Sequence, residues 1–266
     1  MTEKILMCAP DYYGIKYEIN PWMNVDVQAD NKKAVEQWNN LYKILKDDLK
    51  VDVKLVAPRE DVPDMVFTAN AAVMYGNKAV ISRFKHPERQ PEEKYFAQWF
   101  EENGYEVIML PENMAFEGAG DALYLGGILY SGYVPRTDIS SHTYISELLN
   151  IPIISMELQT TSFYHLDTCF CPLENDYLIY YPKAFDEYAN RVIENNVPPE
   201  KRIIANEEEA SYFTCNAVNI GEYVITNKTT DRFTKLLAEK GFKHIQTDLS
   251  EYMKAGGAAK CLTLKV

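Results

Sequence analysis

FTANAAVMYGNKAVISRF (67–84) carries a hairpin pattern that recurs along the chain. Its first half, FTANAAVMY (67–75), is a strand-like run that meets a turn at Gly76-Asn77-Lys78 and returns as AVISRF, which is good hairpin chemistry. A helical pattern near 91–103 and a further apolar run, YEVIML, complete a unit of strand, turn, strand, helix and strand. The unit recurs about every 45 to 50 residues, a period at which repeat architectures are expected.

The second copy runs FEGAGDALYL (116–125), Gly126-Gly127, ILYSGYV, a helix near 139–149 and IPIIS. The third runs HLDTCFCPL (165–173), Glu174-Asn175-Asp176, YLIYYP, a helix near 184–195 and RIIA. The fourth runs FTCNAVNI (213–220), Gly221-Glu222, YVITN, a helix from Thr229 to Lys240 that Gly241 stops, and KHIQT. F-T-x-N-A stands at the same place in the first and fourth copies, at 67 and at 213, which argues for true internal repetition. The fifth copy is split: GGAAKCLTLKV (256–266) ends the chain, while KILMCA (4–9), a helix near 31–49 and VDVKLV (51–56) begin it. Joining the last hairpin to the first strand closes a ring and removes the sheet edges that an open array would expose. One domain over residues 1–266 is therefore expected.

Each unit opens with a polar cluster in matching phase: Asn70, then Glu117 with Asp121, then His165 with Asp167, then Asn216, then Cys261. Any one of them alone reads more readily as a polar residue at a turn or strand end. In a pseudo-symmetric ring, however, equivalent positions converge on the axis, so the five together predict one central pocket. A cysteine, a histidine and several carboxylates are the components of nucleophilic displacement at a cationic carbon, with the thiolate as the reactive species. A guanidinium is planar, always charged, and matches carboxylate forks, so Glu117, Asp121 and Asp167 are candidate anchors for it. His165 suits general acid–base work, because imidazole ordinarily titrates near neutrality. His86, His142 and His244 lie in a Pro loop, at a helix start and by a late strand, without such a setting.

Lys plus Arg number 27 against 39 for Asp plus Glu, a formal charge of −12, which repels phosphate backbones and makes nucleic acid a poor partner. No apolar run reaches membrane-spanning length. The start, MTEKILMCAPDYY, shows no long apolar segment or cleavage site, so a cytoplasmic location is expected. The five cysteines form an odd set with no disulfide framework, in keeping with a reducing compartment. His165, Cys169 and Cys171 fall short of zinc spacing, and Cys169 and Cys171 read as buried thiols.

At F-E-G-x-G-D (116–121), H-L-D (165–167) and G-G-x-x-x-C-L-T (256–263) the sequence resembles the guanidino-group-modifying enzymes. These form the pentein superfamily of arginine deiminases, dimethylarginine dimethylaminohydrolases and amidinotransferases. The resemblance covers nearly the whole chain and implies an α/β fold, a five-bladed pseudo-symmetric propeller. It also implies Cys261 as nucleophile, His165 as base, and Glu117 and Asp167 as acidic partners. The inserted Ala119 leaves open which of Asp121 and Asp167 is the main guanidinium anchor. PDYYGIKYEINPWM (10–23), FTANA (67–71) and FEGAGDAL (116–123) look most like bacterial arginine dihydrolases, which turn arginine into ornithine, carbon dioxide and two ammonia. Dimethylarginine hydrolases typically show an acidic pair where Ala69-Asn70 stands, which argues against a methylated substrate. By the same resemblance Arg136 matches the family's α-carboxylate-binding arginine; Arg89, in HPERQPEE, is a weaker second candidate, either arginine also reads as a solvated loop residue, and Asn20, in the EINPWM loop, is a candidate to line the entrance as part of a lid.

The expectation is hydrolysis of free L-arginine through a covalent amidino-cysteine, without metal or organic cofactor, with Asn70 steering the product. Arginine deiminase giving citrulline, or a dimethylarginine hydrolase, is the alternative, and a non-catalytic binding pentein the more distant one. The sequence gives no sign of oligomeric state.

Overall fold

The computed structural model describes residues 3–266; Met1 and Thr2, at the charged start read above, lie outside the described residues. Strand β1 (Lys4–Cys8) runs parallel to β2 (Asp52–Val56), and the chain's last strand returns to its other edge. The other strands fill in three at a time. They are β3 (Ala72–Tyr75), β4 (Lys78–Ile81) and β5 (Glu106–Met109); then β6 (Ala122–Leu125), β7 (Ile128–Tyr133) and β8 (Ile153–Glu157). Next come β9 (Phe170–Pro172), β10 (Leu178–Tyr180) and β11 (Arg202–Ile204), followed by β12 (Val218–Ile220), β13 (Tyr223–Thr226) and β14 (Lys243–Gln246). Finally β15 (Leu264–Lys265) pairs antiparallel with β1, Ile5 opposite Lys265 and Leu6 opposite Leu264.

The result is five separate three-stranded sheets, the blades of the expected propeller. In four of them an inner strand turns back through a hairpin into the middle strand, and a helix crosses over to a parallel outer strand; in the fifth the inner strand, β15, comes from the opposite end of the chain. The short hairpins follow their turn residues: Tyr75 faces Lys78 across Gly76-Asn77, with Gly76 at φ +57°, where a Cβ would be strained. Middle strands are apolar because both faces are covered, as in Ala79, Val80 and Ile81 of β4, all fully buried. The apolar packing is divided among four clusters between blades and helices, which leaves the axis available for polar groups.

Two details differ from the sequence reading. The helix read over 31–49 is α-helical over Asn31–Lys43 and continues as a π-type turn, Ile44–Asp48; the helix read from Thr229 begins at Asp231, with the Thr230 hydroxyl accepting the Phe233 N–H as its cap. More consequential, the polar clusters lie in short turns just ahead of the inner strands, not in them. Thr68–Asn70, Gly118–Asp121 and Leu166–Thr168 each make about one helical turn. Their amides bond within the turn, as Asn70 N–H to the Phe67 carbonyl and Thr168 N–H to the His165 carbonyl, so side chains there are free to point at the axis. No helix among the described residues is long and apolar enough to cross a membrane.

Candidate active site

The five turns meet at one end of the ring. Gly118 shows why FEGAGD has the sequence it does: its φ is +58°, and a Cβ there would stand 2.8 Å from Ser82 Oγ and 2.9 Å from the Ala72 amide. This close approach seats Glu117 beneath the first blade. One Glu117 oxygen, Oε2, accepts from Arg136 Nη1 at 3.0 Å and lies 2.7 Å from His165 Nε2, while Oε1 accepts from the Lys85 amide at 3.2 Å. Burial alone would raise the Glu117 carboxyl, but Arg136 and His165 outweigh it and hold the group well below the ordinary carboxylate range. Glu117 is therefore an anion that orients His165 through Nε2. The other ring nitrogen, Nδ1, makes no hydrogen bond to any described residue and is left for a ligand.

Cys261 is held by Asn216. The amide oxygen of Asn216 accepts the Cys261 and Ala258 N–H groups at 3.1 and 3.0 Å, and its Nδ2 reaches the Cys261 sulfur at 3.1 Å. The thiol faces the Asp167 carboxylate at 3.4 Å. Burial first, then the Asp167 charge, push the thiol well above its ordinary pKa, and burial raises Asp167 itself to about 6. Without a ligand the pair thus favours its protonated forms. A cation placed between them would reverse both shifts, so the site is built to ionise when a cationic group arrives.

A cavity of about 10 Å³, scarcely room for a water, lies beside the Cys261 thiol. His165, Cys261, Asn70, Arg89, Arg136 and Asn20 of the expected set line it. It is closed by the segment around Asn20: Arg136 Nη2 donates to the Ile19 carbonyl at 2.9 Å, Asn20 Nδ2 to Ala255 at 3.1 Å and Trp22 Nε1 to Ser162 at 2.8 Å. An amino-acid-sized ligand enters only if this segment moves.

Three expectations are corrected by the bonding. Asp121 is not free to anchor a guanidinium: its carboxylate accepts the Thr137 hydroxyl at 2.6 Å and the Leu166 amide at 3.0 Å, fixing the His165 turn, and it does not line the cavity. Asn216 likewise is occupied in positioning the thiol instead of touching the cavity. Arg89 is no solvated loop residue; it is 3% exposed, clasps Glu92 with two bonds of 2.8 Å and donates to Asn70 Oδ1 at 3.0 Å. Asn70 is thereby fixed in orientation, its Nδ2 donating to the Glu117 carbonyl at 3.1 Å.

Asp64 was missed. It is 2% exposed and lines the cavity; burial raises its pKa against the pull of Arg89 and of the neighbouring Tyr17 hydroxyl. The available signal was a lone acid inside the apolar run VPDMVF (62–67), where an unpaired buried charge requires a partner. Tyr164 was also missed; its ring lies 4.8 Å from the Arg136 guanidinium carbon and sets the height of that side chain over the cavity. Among the described residues no group of three or more His, Cys, Asp and Glu side chains is placed to hold a metal ion.

A family model described as N,N dimethylarginine dimethylhydrolase, eukaryotic, matches residues 16–266. The bifunctional arginine dihydrolase/ornithine cyclodeaminase ArgZ of Synechocystis sp. is 52% identical over 99% of this chain and 37% of its own length. Its counterpart AgrE of Nostoc sp. is 52% identical over the whole chain and 38% of its own length, so the chain spans well under half of either relative. The N(G),N(G)-dimethylarginine dimethylaminohydrolase of Mycobacterium tuberculosis is 35% identical over the whole chain and 86% of its own length. In three dimensions, the crystal structure of the N-terminal domain of ArgZ bound to product superposes with a TM-score of 0.97, at 51% identity, covering 100% of this chain and 98% of that one. The five-bladed ring, the extent of the match and these identities lead to one conclusion: the chain belongs to the N,N dimethylarginine dimethylhydrolase family, within the pentein superfamily.

Proposed function

We propose that residues 1–266 form one catalytic domain that hydrolyses free L-arginine to ornithine, carbon dioxide and two ammonia. The observation that carries this reading is a neutral amide, Asn70, held rigidly by Arg89 and Glu117 in a pocket that Cys261, His165 and Asp64 also line, with Asp167 behind the thiol at 3.4 Å. The likeness to arginine dihydrolases supports it, including a variant of the ArgZ N-terminal domain covalently bound to a reaction intermediate.

Asp64 and Asp167 receive the guanidinium, and its charge draws the Cys261 thiol towards thiolate. Sulfur attacks the guanidinium carbon, the thiol proton passes through His165 to the departing nitrogen, and ammonia leaves an amidino-cysteine still bonded to the ornithine nitrogen. His165 then activates a water, which adds to the same carbon. Expulsion of the thiolate from this adduct would give citrulline. Expulsion of a second ammonia leaves a thiocarbamoyl enzyme, which a second water converts to ornithine and carbon dioxide. The Asn70 amide donates to the developing oxygen and holds the adduct, whereas a carboxylate would repel that oxygen. Arg136 is the cation available to the α-carboxylate, after releasing part of its present bonding, with Arg89, which also holds Asn70, the second candidate.

The test is the product ratio of wild type and Asn70→Asp at equal arginine consumption. A shift from ornithine to citrulline in the variant is expected. An unchanged ratio with a lower rate would leave Asn70 as scaffolding and overturn its role in partition.

A further inference from the structure

The propeller has a second and much larger cavity, about 440 Å³, at the other end of its axis. The catalytic turns precede the inner strands, whereas this cavity reaches the hairpin at Glu174–Asp176, where an inner strand ends. Each blade supplies an apolar wall residue: Val73, Ala122, Phe170, Val218 and Leu264. Its volume falls within the range of about 300–1,000 Å³ usual for small-molecule sites.

Lys260, the residue before the nucleophile, brings a cation into this apolar chamber. Its Nζ has a single long contact, 3.4 Å to the Thr263 carbonyl, and no ion pair with any described carboxylate. Lys265 at the rim differs, being paired with Glu3 at 2.7 Å. Lys260 is half-buried; the solvent it loses lowers its pKa, and the nearby Asp167 and Cys261 offset this only in part. An ammonium in such surroundings lacks a counter-charge, which a bound anion would supply. The acids Glu174 and Asp176 at the mouth repel anions of higher charge, such as phosphate esters.

We propose that the axial cavity is a second ligand site, which takes a small organic monocarboxylate with its carboxylate on Lys260 and its apolar body against the five inner strands. The site is separate from the catalytic pocket yet electrostatically linked to it. The Lys260 charge acts on Asp167 and Cys261, favouring their anions, and a bound carboxylate cancels that charge. Occupancy therefore makes the Cys261 thiol harder to ionise and slows its reactions.

Isovalerate is the probe, with isovaleramide as its neutral isostere, in calorimetry and saturation-transfer NMR on the intact protein. Isovalerate binds with Kd on the order of 1 mM, and the amide at least about tenfold more weakly. Lys260→Met, an apolar replacement of similar length, loses isovalerate binding by about tenfold or more, while Lys260→Arg retains it. In the same samples isovalerate slows alkylation of Cys261 by iodoacetamide in the wild type and has no effect in Lys260→Met. Equal binding of acid and amide, unchanged binding in Lys260→Met, loss of binding in a folded Lys260→Arg, or no binding at about ten times that Kd would each overturn the proposal. None of these readouts uses arginine turnover, so their failure leaves the proposed hydrolysis untouched.

Discussion

Gly120→Ala places one methyl group against the residue proposed to steer the product. A Cβ on Gly120 would lie 2.1 Å from Asn70 Nδ2, and an ordinary contact begins near 3.4 Å, so the amide must retreat by about 1.3 Å. It has no slack, because Arg89 holds its oxygen at 3.0 Å and the Glu117 carbonyl holds its nitrogen at 3.1 Å. Losing the charged bond costs about 1.5–3 kcal/mol and the neutral one about 0.5–1.5 kcal/mol. The opposing gain from a less flexible unfolded chain is only about 0.4–1 kcal/mol. The net expectation is a loss of roughly 1–4 kcal/mol, seen as a Tm lower by several degrees. Because a misplacement near 1 Å can cost about a hundredfold in rate, kcat for arginine falls by that order. Adding Asn70→Ala to Gly120→Ala removes the clash but also the same two bonds, so neither Tm nor activity returns to the wild-type value. Differential scanning calorimetry and an ammonia-release assay read both quantities. A Gly120→Ala protein with wild-type Tm and kcat would refute the account of Asn70 as a rigidly held group.

Cys261→Ser keeps the fold but loses at least about a thousandfold in turnover, because an alkoxide is not available at neutral pH; ammonia release checks it. Asp64→Asn raises the apparent Kd for arginine by about a hundredfold, since a partly desolvated ion pair is lost; calorimetry in the Cys261→Ser background measures it without turnover. Asp167, raised to about 6 by burial, gives a pH dependence of definite sign. A carboxyl whose folded pKa exceeds its unfolded value binds more protons when folded, so its contribution to stability is lost as pH rises from about 4 to 6. The displacement from 3.8 to about 6 corresponds to about 3 kcal/mol, so Asp167→Asn gains stability relative to wild type across that window in urea titrations. Arginine binding runs the other way, tightening as pH rises to about 6 because the cation pairs with the ionised carboxylate. An apparent Kd that is flat from pH 5 to 7 would show that Asp167 is not the partner.

The ring was legible because its evidence is local and repeated. Hairpins such as Gly76-Asn77 and Gly126-Gly127 are specified by their own residues, and the duplicated F-T-x-N-A fixed their phase. Cys261, His165 and Glu117 were legible for the same reason, as reactive residue types at equivalent places. What could not be read was which lone pairs and N–H groups the fold had already engaged. Asp121 and Asn216 are of the right type for substrate contact, but Thr137, Leu166 and the Cys261 turn consume their bonding capacity. Asp64 escaped notice because it stands ahead of the repeat unit, and only tertiary packing turns VPDMVF towards the cavity. The turns before the inner strands escaped for a related reason: at the crowded end of a ring the backbone bonds to itself, which residue alternation does not reveal.

Product stoichiometry of the wild-type protein on L-arginine separates hydrolysis to ornithine from hydrolysis to citrulline. Arginine consumed, ammonia, ornithine and citrulline are quantified together over one time course, by mass spectrometry and an enzymatic ammonia assay. Two ammonia and one ornithine per arginine, with little citrulline, are expected. One ammonia and one citrulline per arginine would contradict hydrolysis to ornithine.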